Sequence, residues 1–330
     1  MINVAVIGTG NMGRNHVRVY SEIDDVNLVA VSDINENTGK KISQKFKCQY
    51  YKDYKEMISK EKIDAVSIAV PTGHHEGVAL ECLKHNIHVL IEKPITDTID
   101  KGERLWQKAR EYGVLLMVGH IERYNPAVIA LKKIMDEGRL GKIISIVAKR
   151  VGVFPPQIKD ANVILDLGIH DLDLFNYMLG KEPREVYTKG GTALGSERED
   201  HALIMLDYGD VSCFAQTNWI TPVKIRNLAV TGTKGYAELN YITQELNIFE
   251  SVYEKTHDSF GDFILEFGTP NEIKLSVKKE EPLKLEIKNF INAVQGKSAP
   301  LVTGDDGIKA LKIALKSIES YRKGYPITLG

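Results

Sequence analysis

The segment Val4–Gly13, VAVIGTGNMG, decides the fold. Val4-Ala5-Val6-Ile7 is apolar at every position, as a strand buried on both faces requires; a strand with one wet face would alternate. Gly8-Thr9-Gly10-Asn11-Met12-Gly13 then turns the chain into a helical pattern that runs to about Ser21. GxGxxG alone is a weak signal. Here the next apolar run, Leu28–Val31, is followed by Asp33, twenty residues beyond Gly13. Strand, glycine turn, helix, strand and acid in that order form the dinucleotide-binding fingerprint. Gly8 permits the tight turn, Gly10 lets main-chain amides approach a pyrophosphate, and Gly13 lets helix and sheet close on each other. Thr9, Asn11 and Met12 complete the phosphate-facing turn at a helix N-terminus. Asp33 is placed to accept ribose hydroxyls and to repel a 2′-phosphate. Ile34 follows it with no Arg nearby, so NAD is expected over NADP.

Outward from that unit, short apolar runs keep alternating with helical patterns. Helices are expected near 39–46, 54–59, 74–85 and 100–112. Strands are expected near 49–51, 65–70, 89–91 and 115–118, with Gly113 at a helix C-cap. Strands joined by helical crossovers make residues 1–120 a doubly wound parallel α/β domain of the Rossmann kind. Beyond it the period changes. After a helix at 125–137, six half-exposed strands (143–150, 185–191, 201–208, 211–219, 225–231 and 236–241) predict one open antiparallel sheet. A helix at 167–178 interrupts them. Residues 121–330 are thus an α+β domain, whose helices within 283–321 leave room for a return to the first domain. Phe154-Pro155-Pro156 reads as a loop.

Composition narrows the function. The chain has 330 residues, 43% of them hydrophobic and 26% charged, with a formal net charge of −1. That balance argues against nucleic-acid and polybasic membrane roles. No apolar run approaches the ~18 residues of a spanning helix. The start, Met1-Ile2-Asn3-Val4, runs directly into a strand with no charged leader, so the expected location is the cytoplasm. Cys48, Cys82 and Cys213 are scattered and read as reduced thiols. His74-His75 does not make a metal site, because neighbouring side chains on a helix diverge; no metal is expected. His16, His85, His88 and His257 read as surface or internally satisfied side chains.

Two stretches carry chemistry. HVLIEKPIT, His88–Thr96, begins as a core strand and ends in Glu92-Lys93-Pro94. Ligands of open α/β sheets bind at strand C-termini, so Lys93 there can hydrogen-bond a hydroxyl and stabilise developing alkoxide charge. Glu92 would sit near the nicotinamide ribose and offset that ammonium. ILDLGIHDLDLF, Ile164–Phe175, spaces Asp166 and His170 four apart and His170 and Asp173 three apart. On a helix these share a face opposite Leu165, Ile169, Leu172 and Phe175. A carboxylate beside an imidazole orients it and suits it to accept a hydroxyl proton. An exposed face with an ordinary i,i+4 pair fits the same spacing.

The Gly-rich turn, Asp33, Pro71-Thr72 with His75, Glu92-Lys93-Pro94 and Asp166-x-Gly168-x-His170-x-x-Asp173 together resemble the glucose–fructose oxidoreductase/inositol dehydrogenase (Gfo/Idh/MocA) family over nearly the whole chain. The resemblance implies Thr72 and His75 at the cofactor, and Lys93 and His170 flanking the reacting C–OH beside the nicotinamide. It also implies a sheet face that builds a homodimer or homotetramer. GHIERYNPAV (119–128) and NWITPVKIRNLAVTG (218–232) are similar to the branch that oxidises nucleotide sugars. Within it the expected substrate is UDP-N-acetylglucosamine, oxidised at C3, with His170 as base, Asp166 orienting it, and Asp173 and Asn125 holding the sugar. Lys224 and Arg226, two apart on a strand, are candidate diphosphate ligands with Arg123 and Arg150; the alternative is that these charges decorate the sheet or make salt bridges at a subunit interface. No segment matches the extension ahead of the catalytic helix in related UDP-glycuronate oxidases, which argues against a uronic acid. The rivals are an inositol or free-sugar dehydrogenase and a non-catalytic NAD-binding regulator.

Overall fold

A computed structural model describes residues 1–154, 161–195, 198–250, 253–257, 263–267 and 271–329, with the backbone path alone for 253–257 and 263–267. Residues 155 and 156 of the expected Phe154-Pro155-Pro156 loop, and the side chain of His257, lie outside that description. The chain divides into two compact units: Met1–Tyr124 with Glu281–Ile313, and Asn125–Glu280 with Ala314–Gly330. The second unit is therefore not one continuous stretch; the chain returns to the first at Glu281.

The first unit alternates β1 (Ile2–Ile7), α1 (Asn11–Ser21), β2 (Val26–Ser32), α2 (Glu36–Phe46), β3 (Gln49–Tyr51), α3 (Tyr54–Lys60), β4 (Ala65–Ile68), α4 (His75–Lys84), β5 (His88–Ile91), α5 (Ile99–Tyr112) and β6 (Leu116–Val118). All strand pairs are parallel, in the order β3-β2-β1-β4-β5-β6. Val4, Ala5, Val6, Val89, Leu90 and Ile91 are buried on the two covered faces. The order reverses direction between β1 and β4, so a crevice opens beyond their C-terminal ends, where such sheets bind ligands. Gly113, at φ +66°, ends α5 as the sequence predicts. Helix α8 (Pro282–Val294), with proline in its first turn, and the first part of α9 (Gly304–Lys323) complete this unit.

The second unit holds α6 (Pro126–Asp136), β7 (Ile143–Val153), α7 (Ile169–Leu179), β8 (Glu185–Gly191), β9 (His201–Asp207), β10 (Ser212–Asn218), β11 (Ile220–Gly232), β12 (Gly235–Asn240), β13 (Glu245–Glu250), β14 (Tyr253–His257), β15 (Phe263–Phe267), β16 (Asn271–Leu275) and β17 (Ile327–Thr328). Nine strands form one sheet, ordered β16-β13-β12-β11-β7-β10-β9-β8-β17; β14 and β15 form a separate pair. The sheet is mixed rather than wholly antiparallel, because β10 lies parallel to β7. The reason is connectivity. Parallel neighbours need a long crossover, and the chain leaves β7 through α7 and the β8–β9 hairpin before returning as β10. Alternation along β9 buries Ala202, Ile204 and Leu206 and exposes Leu203 and Met205.

Candidate active site

The glycine turn is built as its residues demand. Gly8 has φ +85°, and a Cβ there would lie 2.5 Å from Ala69 O. A Cβ on Gly13 would lie 1.8 Å from Gly8 O, so Gly13 lets the helix close on its own turn, with Ala69 behind it. At Gly10 a Cβ would meet nothing within 4 Å. That space faces a cavity of about 600 Å³ lined by Gly8, Gly10, Asp33, Ile34, Lys52 and Tyr54 among others. Gly10 is the N-cap of α1, so the amides of Asn11, Met12 and Gly13 begin the helix without a side-chain cap. They are available to an anion.

Asp33 does more than face a ribose. Its Oδ2 accepts Thr9 N at 2.7 Å and Thr9 Oγ1 at 2.6 Å, and Oδ1 accepts Asn35 N at 2.8 Å. Oδ2 is filled by these two donors, and Oδ1 keeps capacity for one more. The acid thus pins the glycine turn before any ligand arrives. Lys52, which the sequence reading did not single out, lines the same cavity as Asp33.

The adjacent histidines point different ways. A short 3₁₀ turn, Thr72–His74, precedes α4. His74 is exposed and lines the cavity, whereas His75 is buried. His75 Nδ1 lies 2.9 Å from Pro94 O and Nε2 2.9 Å from Val70 O. Carbonyls only accept, so a neutral ring can satisfy one of them. Burial lowers the pKa of His75 and favours that neutral form. His75 ties the loops after β4 and β5 together.

Glu92, Lys93 and Pro94 follow β5, and the Lys93–Pro94 peptide is cis. Glu92 is turned inward: Oε1 lies 3.0 Å from His16 Nε2, and Oε2 accepts Lys93 N at 3.3 Å. His16 Nδ1 contacts Ser67 Oγ at 3.0 Å, which contacts Tyr20 OH at 2.7 Å. Burial by itself would raise the Glu92 pKa, but the His16 hydrogen bond and the charge of Lys93 outweigh it, and the net direction is down. Deeper in the unit, Glu286 of α8 goes the other way. Burial, then the charge of Glu92, push its carboxyl well above the usual range. Arg123 is buried and donates to Asp306 Oδ1 at 3.1 Å and Leu301 O at 3.3 Å. Those partners draw two of its donors inside the unit.

In the second unit the chemistry helix opens with one π-helical turn, Ile164–Gly168, before α7. Such turns recur at functional sites. The α-helical spacing assumed for Asp166 and His170 therefore does not hold over the first turn. Asn162 starts the turn, accepting Leu165 N at 3.0 Å, and is itself held by donating to Glu199 at 2.9 Å. Asp166 Oδ2 accepts Trp219 Nε1 at 3.3 Å. Trp219 is anchored through its own N–H to Asp200 O at 2.9 Å and packs edge-on against Phe154. His170 is half-buried. Asp173, expected on an open face, is buried at 1% exposure.

Asp171, which the sequence reading passed over, forms a two-pronged buried pair with Arg150 (both contacts 2.9 Å) and accepts Tyr241 OH at 3.2 Å. The Arg150 guanidinium also lies 4.7 Å from the Tyr241 ring centroid. Arg150 thereby joins the core of this unit. Asn125 is the N-cap of α6: its Oδ1 accepts Ala127 N at 3.1 Å and its Nδ2 donates to Tyr241 O at 3.0 Å. Both ends of the amide serve main chain. Arg226 donates to the carbonyls of Val151 and Ile225. Strand register shifts between Ile220 and Ile225, so simple alternation does not put Lys224 and Arg226 on one face. Lys224 is the exposed one of these cations. Among the described residues, no three His, Cys, Asp or Glu side chains are grouped to hold a metal, and no helix is long and apolar enough to cross a membrane.

Comparison with known proteins fits this geometry. Residues 2–120 match the oxidoreductase family with an NAD-binding Rossmann fold, and residues 128–238 match the GFO/IDH/MocA C-terminal domain. The chain is 29% identical to a UDP-N-acetylglucosamine 3-dehydrogenase of Acidithiobacillus ferrooxidans, covering 96% of both chains. A crystal structure of such a dehydrogenase from that organism superposes with a TM-score of 0.86 at 26% identity, covering 98% of both. A myo-inositol 2-dehydrogenase of Thermotoga maritima is 25% identical over 97% of both chains. The chain belongs to the Gfo/Idh/MocA oxidoreductase family and is an enzyme of its NAD-dependent dehydrogenase type.

Proposed function

We propose that this enzyme oxidises a secondary sugar hydroxyl to a ketone, with C3 of UDP-N-acetylglucosamine as the substrate position. The observation that carries the substrate is the end-to-end similarity, in sequence and in structure, to a UDP-N-acetylglucosamine 3-dehydrogenase. NAD held in the crevice supplies the hydride acceptor. The chain's own residues do the rest. Gly10 and the first amides of α1 take the pyrophosphate, and Asp33 Oδ1 takes a ribose hydroxyl. Lys93 hydrogen-bonds the reacting hydroxyl and lowers the cost of alkoxide charge. His170 takes the hydroxyl proton, and Asp166, steadied by Trp219, keeps it in place. Asp173 and Lys224 stay as substrate-side candidates. The preference for NAD over NADP rests on Asp33, with Lys52 as the group that could weaken it.

A second reading has a specific observation in its favour. Arg123, Arg150 and Arg226 are engaged by internal acceptors, so fewer cations are left for a diphosphate than the sequence suggested. An inositol or free-sugar dehydrogenase would need none. Self-association also belongs to this proposal. Strand register sets Tyr187, Met205, Phe214, Val147 and Ala229 in one row across the open face of the sheet. Val147 and Met205 are 44% and 51% exposed. Such a row suits a face that a second copy covers.

The test is reduction of NAD followed by absorbance, with UDP-N-acetylglucosamine, UDP-glucose, myo-inositol and glucose compared side by side. Turnover confined to the first substrate is the expected result. Turnover with inositol or glucose alone would discard the nucleotide-sugar assignment and keep the chemistry. Cofactor binding without turnover of any polyol would favour the regulator.

A further inference from the structure

We infer that Glu199 is a positioning residue: its carboxylate fixes the side-chain amide of Asn162, and through that amide the π turn that presents Asp166 ahead of His170. The inference deepens the proposed function, because it rests on Asp166 and His170 as the groups that handle the hydroxyl proton.

The turn needs a fixed start. A π turn carries one residue more than an α turn, and Ile169 N accordingly reaches back five residues to Ile164 O. Were the turn to tighten into an α turn, everything before it would rotate by about 100° about the helix axis, one residue of a 3.6-residue turn. Asp166 would then leave Trp219. What holds its phase lies upstream, at Asn162. The Asn162 carbonyl accepts Asp166 N at 2.9 Å, and Asn162 Oδ1 accepts Leu165 N at 3.0 Å. A side-chain amide can present either end, so Oδ1 points into the turn only if Nδ2 has an acceptor on the other side. Glu199 supplies it: Oε2 accepts Nδ2 at 2.9 Å, with Asn162 and Glu199 both buried (8% and 7% exposed). A carboxylate cannot donate, so the reversed amide would set two acceptors face to face inside the protein. Arg322 of α9 lies 3.6 Å from Glu199 Oε1, on the side away from that contact. The neighbours of Glu199 add to the grip. Arg198 donates to Ala161 O at 3.1 Å, Glu199 O accepts Val163 N at 3.0 Å, and Asp200 O accepts Trp219 N at 2.9 Å. Three consecutive residues ahead of β9 thus hold the entry to the turn and the tryptophan that meets Asp166. The two carbonyl contacts would survive any side chain at 199 and 200; the orientation of the Asn162 amide depends on Glu199.

Exchanging the amide and the carboxylate tests this directly in the full-length protein. Asn162→Asp sets a second carboxylate against Glu199 and should lower kcat about tenfold, the usual weight of a lost charged hydrogen bond, with KM for NAD unchanged. Glu199→Gln keeps an acceptor for Asn162 and should stay close to wild type. The double variant Asn162→Asp/Glu199→Gln restores the pair with its two ends exchanged, and should regain most of the lost kcat. Glu199→Ala removes the acceptor without adding a charge; it should fall between, and it covers the case in which Asn162→Asp does not fold. Amide hydrogen exchange over residues 162–170, read by peptide mass spectrometry, should quicken in Asn162→Asp and slow again in the double variant. A lower melting temperature with kcat unchanged in Asn162→Asp and Glu199→Ala would leave Glu199 a structural residue only. A double variant no better than Asn162→Asp would break the pairing itself. The comparison is read on whichever sugar or polyol the wild type turns over, so a different substrate changes the proposed function and leaves this result standing. A wild type inert toward all of them would sink the proposed function. Hydrogen exchange would then decide alone: no change in Asn162→Asp overturns the inference, and recovery in the double variant upholds it.

Discussion

Two turns in this molecule do opposite things with the same backbone. The turn after β1 works by having almost no side chains: Gly8, Gly10 and Gly13 clear space so that amides can meet a ligand. The turn before α7 presents a side chain, Asp166, whose partner Trp219 comes from far along the chain and is itself tied to Asp200, while Glu199 holds the Asn162 that opens the turn. The first turn takes its geometry from its own glycines and from one acid a strand further on, Asp33. The second borrows it from the tertiary structure. A site made of backbone is therefore written locally, and a site made of side chains is not.

The largest effect should come from the second turn. His170→Ala is expected to lose ~10²–10⁴ in kcat, the usual weight of a general base, while NADH binding, measured by fluorescence, stays at the wild-type level. Full turnover in that variant would break the contrast, since the aimed side chain would then be doing nothing. Next comes the core that supports it. Arg150→Ala leaves Asp171 buried and uncompensated, and should cost about 3–5 kcal/mol in urea denaturation. Arg150→Met with Asp171→Leu should recover much of that loss, because removing both charges removes the desolvation problem as well.

The glycine turn supplies a sharper pair. Gly13→Ala forces a Cβ onto Gly8 O and should lose about 1–3 kcal/mol of stability together with NADH affinity. Gly10→Ala meets no neighbouring atom. It should leave the melting temperature unmoved and weaken NADH alone, because its Cβ points into the space the pyrophosphate needs. Equal thermal losses in both variants would mean that the turn is held by something other than glycine clearance. The smallest effect belongs to Trp219→Phe, which removes the hydrogen bond to Asp166 and should lower kcat/KM by about 1 kcal/mol, roughly fivefold. If Trp219 serves packing alone, denaturation midpoints will move and kcat/KM will not.

The same contrast explains what local sequence leaves unsaid. Asn125 and Arg123 stand in a stretch that resembles a substrate segment, yet one caps α6 and the other bonds Asp306, a residue 183 positions away. Nothing in the local sequence announces an acceptor so distant. Asp171 sat unnoticed between Asp166 and Asp173, although an acid amid Ile169, Leu172 and Leu174 on a buried helix is itself a signal that some cation must meet it. His16 looked like an internally satisfied histidine, and it is one. What could not be read was that its partner is Glu92.

The sequence by itself determined the doubly wound first unit, the glycine turn, the acid at Asp33 and the strand-end position of Lys93. Each follows from a run of apolar residues, a glycine spacing or a residue at a strand terminus, and these act over a few neighbours. Only the tertiary structure decided the parallel placement of β10 beside β7, the return of the chain to the first unit at Glu281, the π turn under Asp166, and the partners of Arg123, Arg150 and Arg226. Those depend on which donors and acceptors meet once the core is closed. A buried charge must find a partner wherever the fold brings one, however far away along the chain.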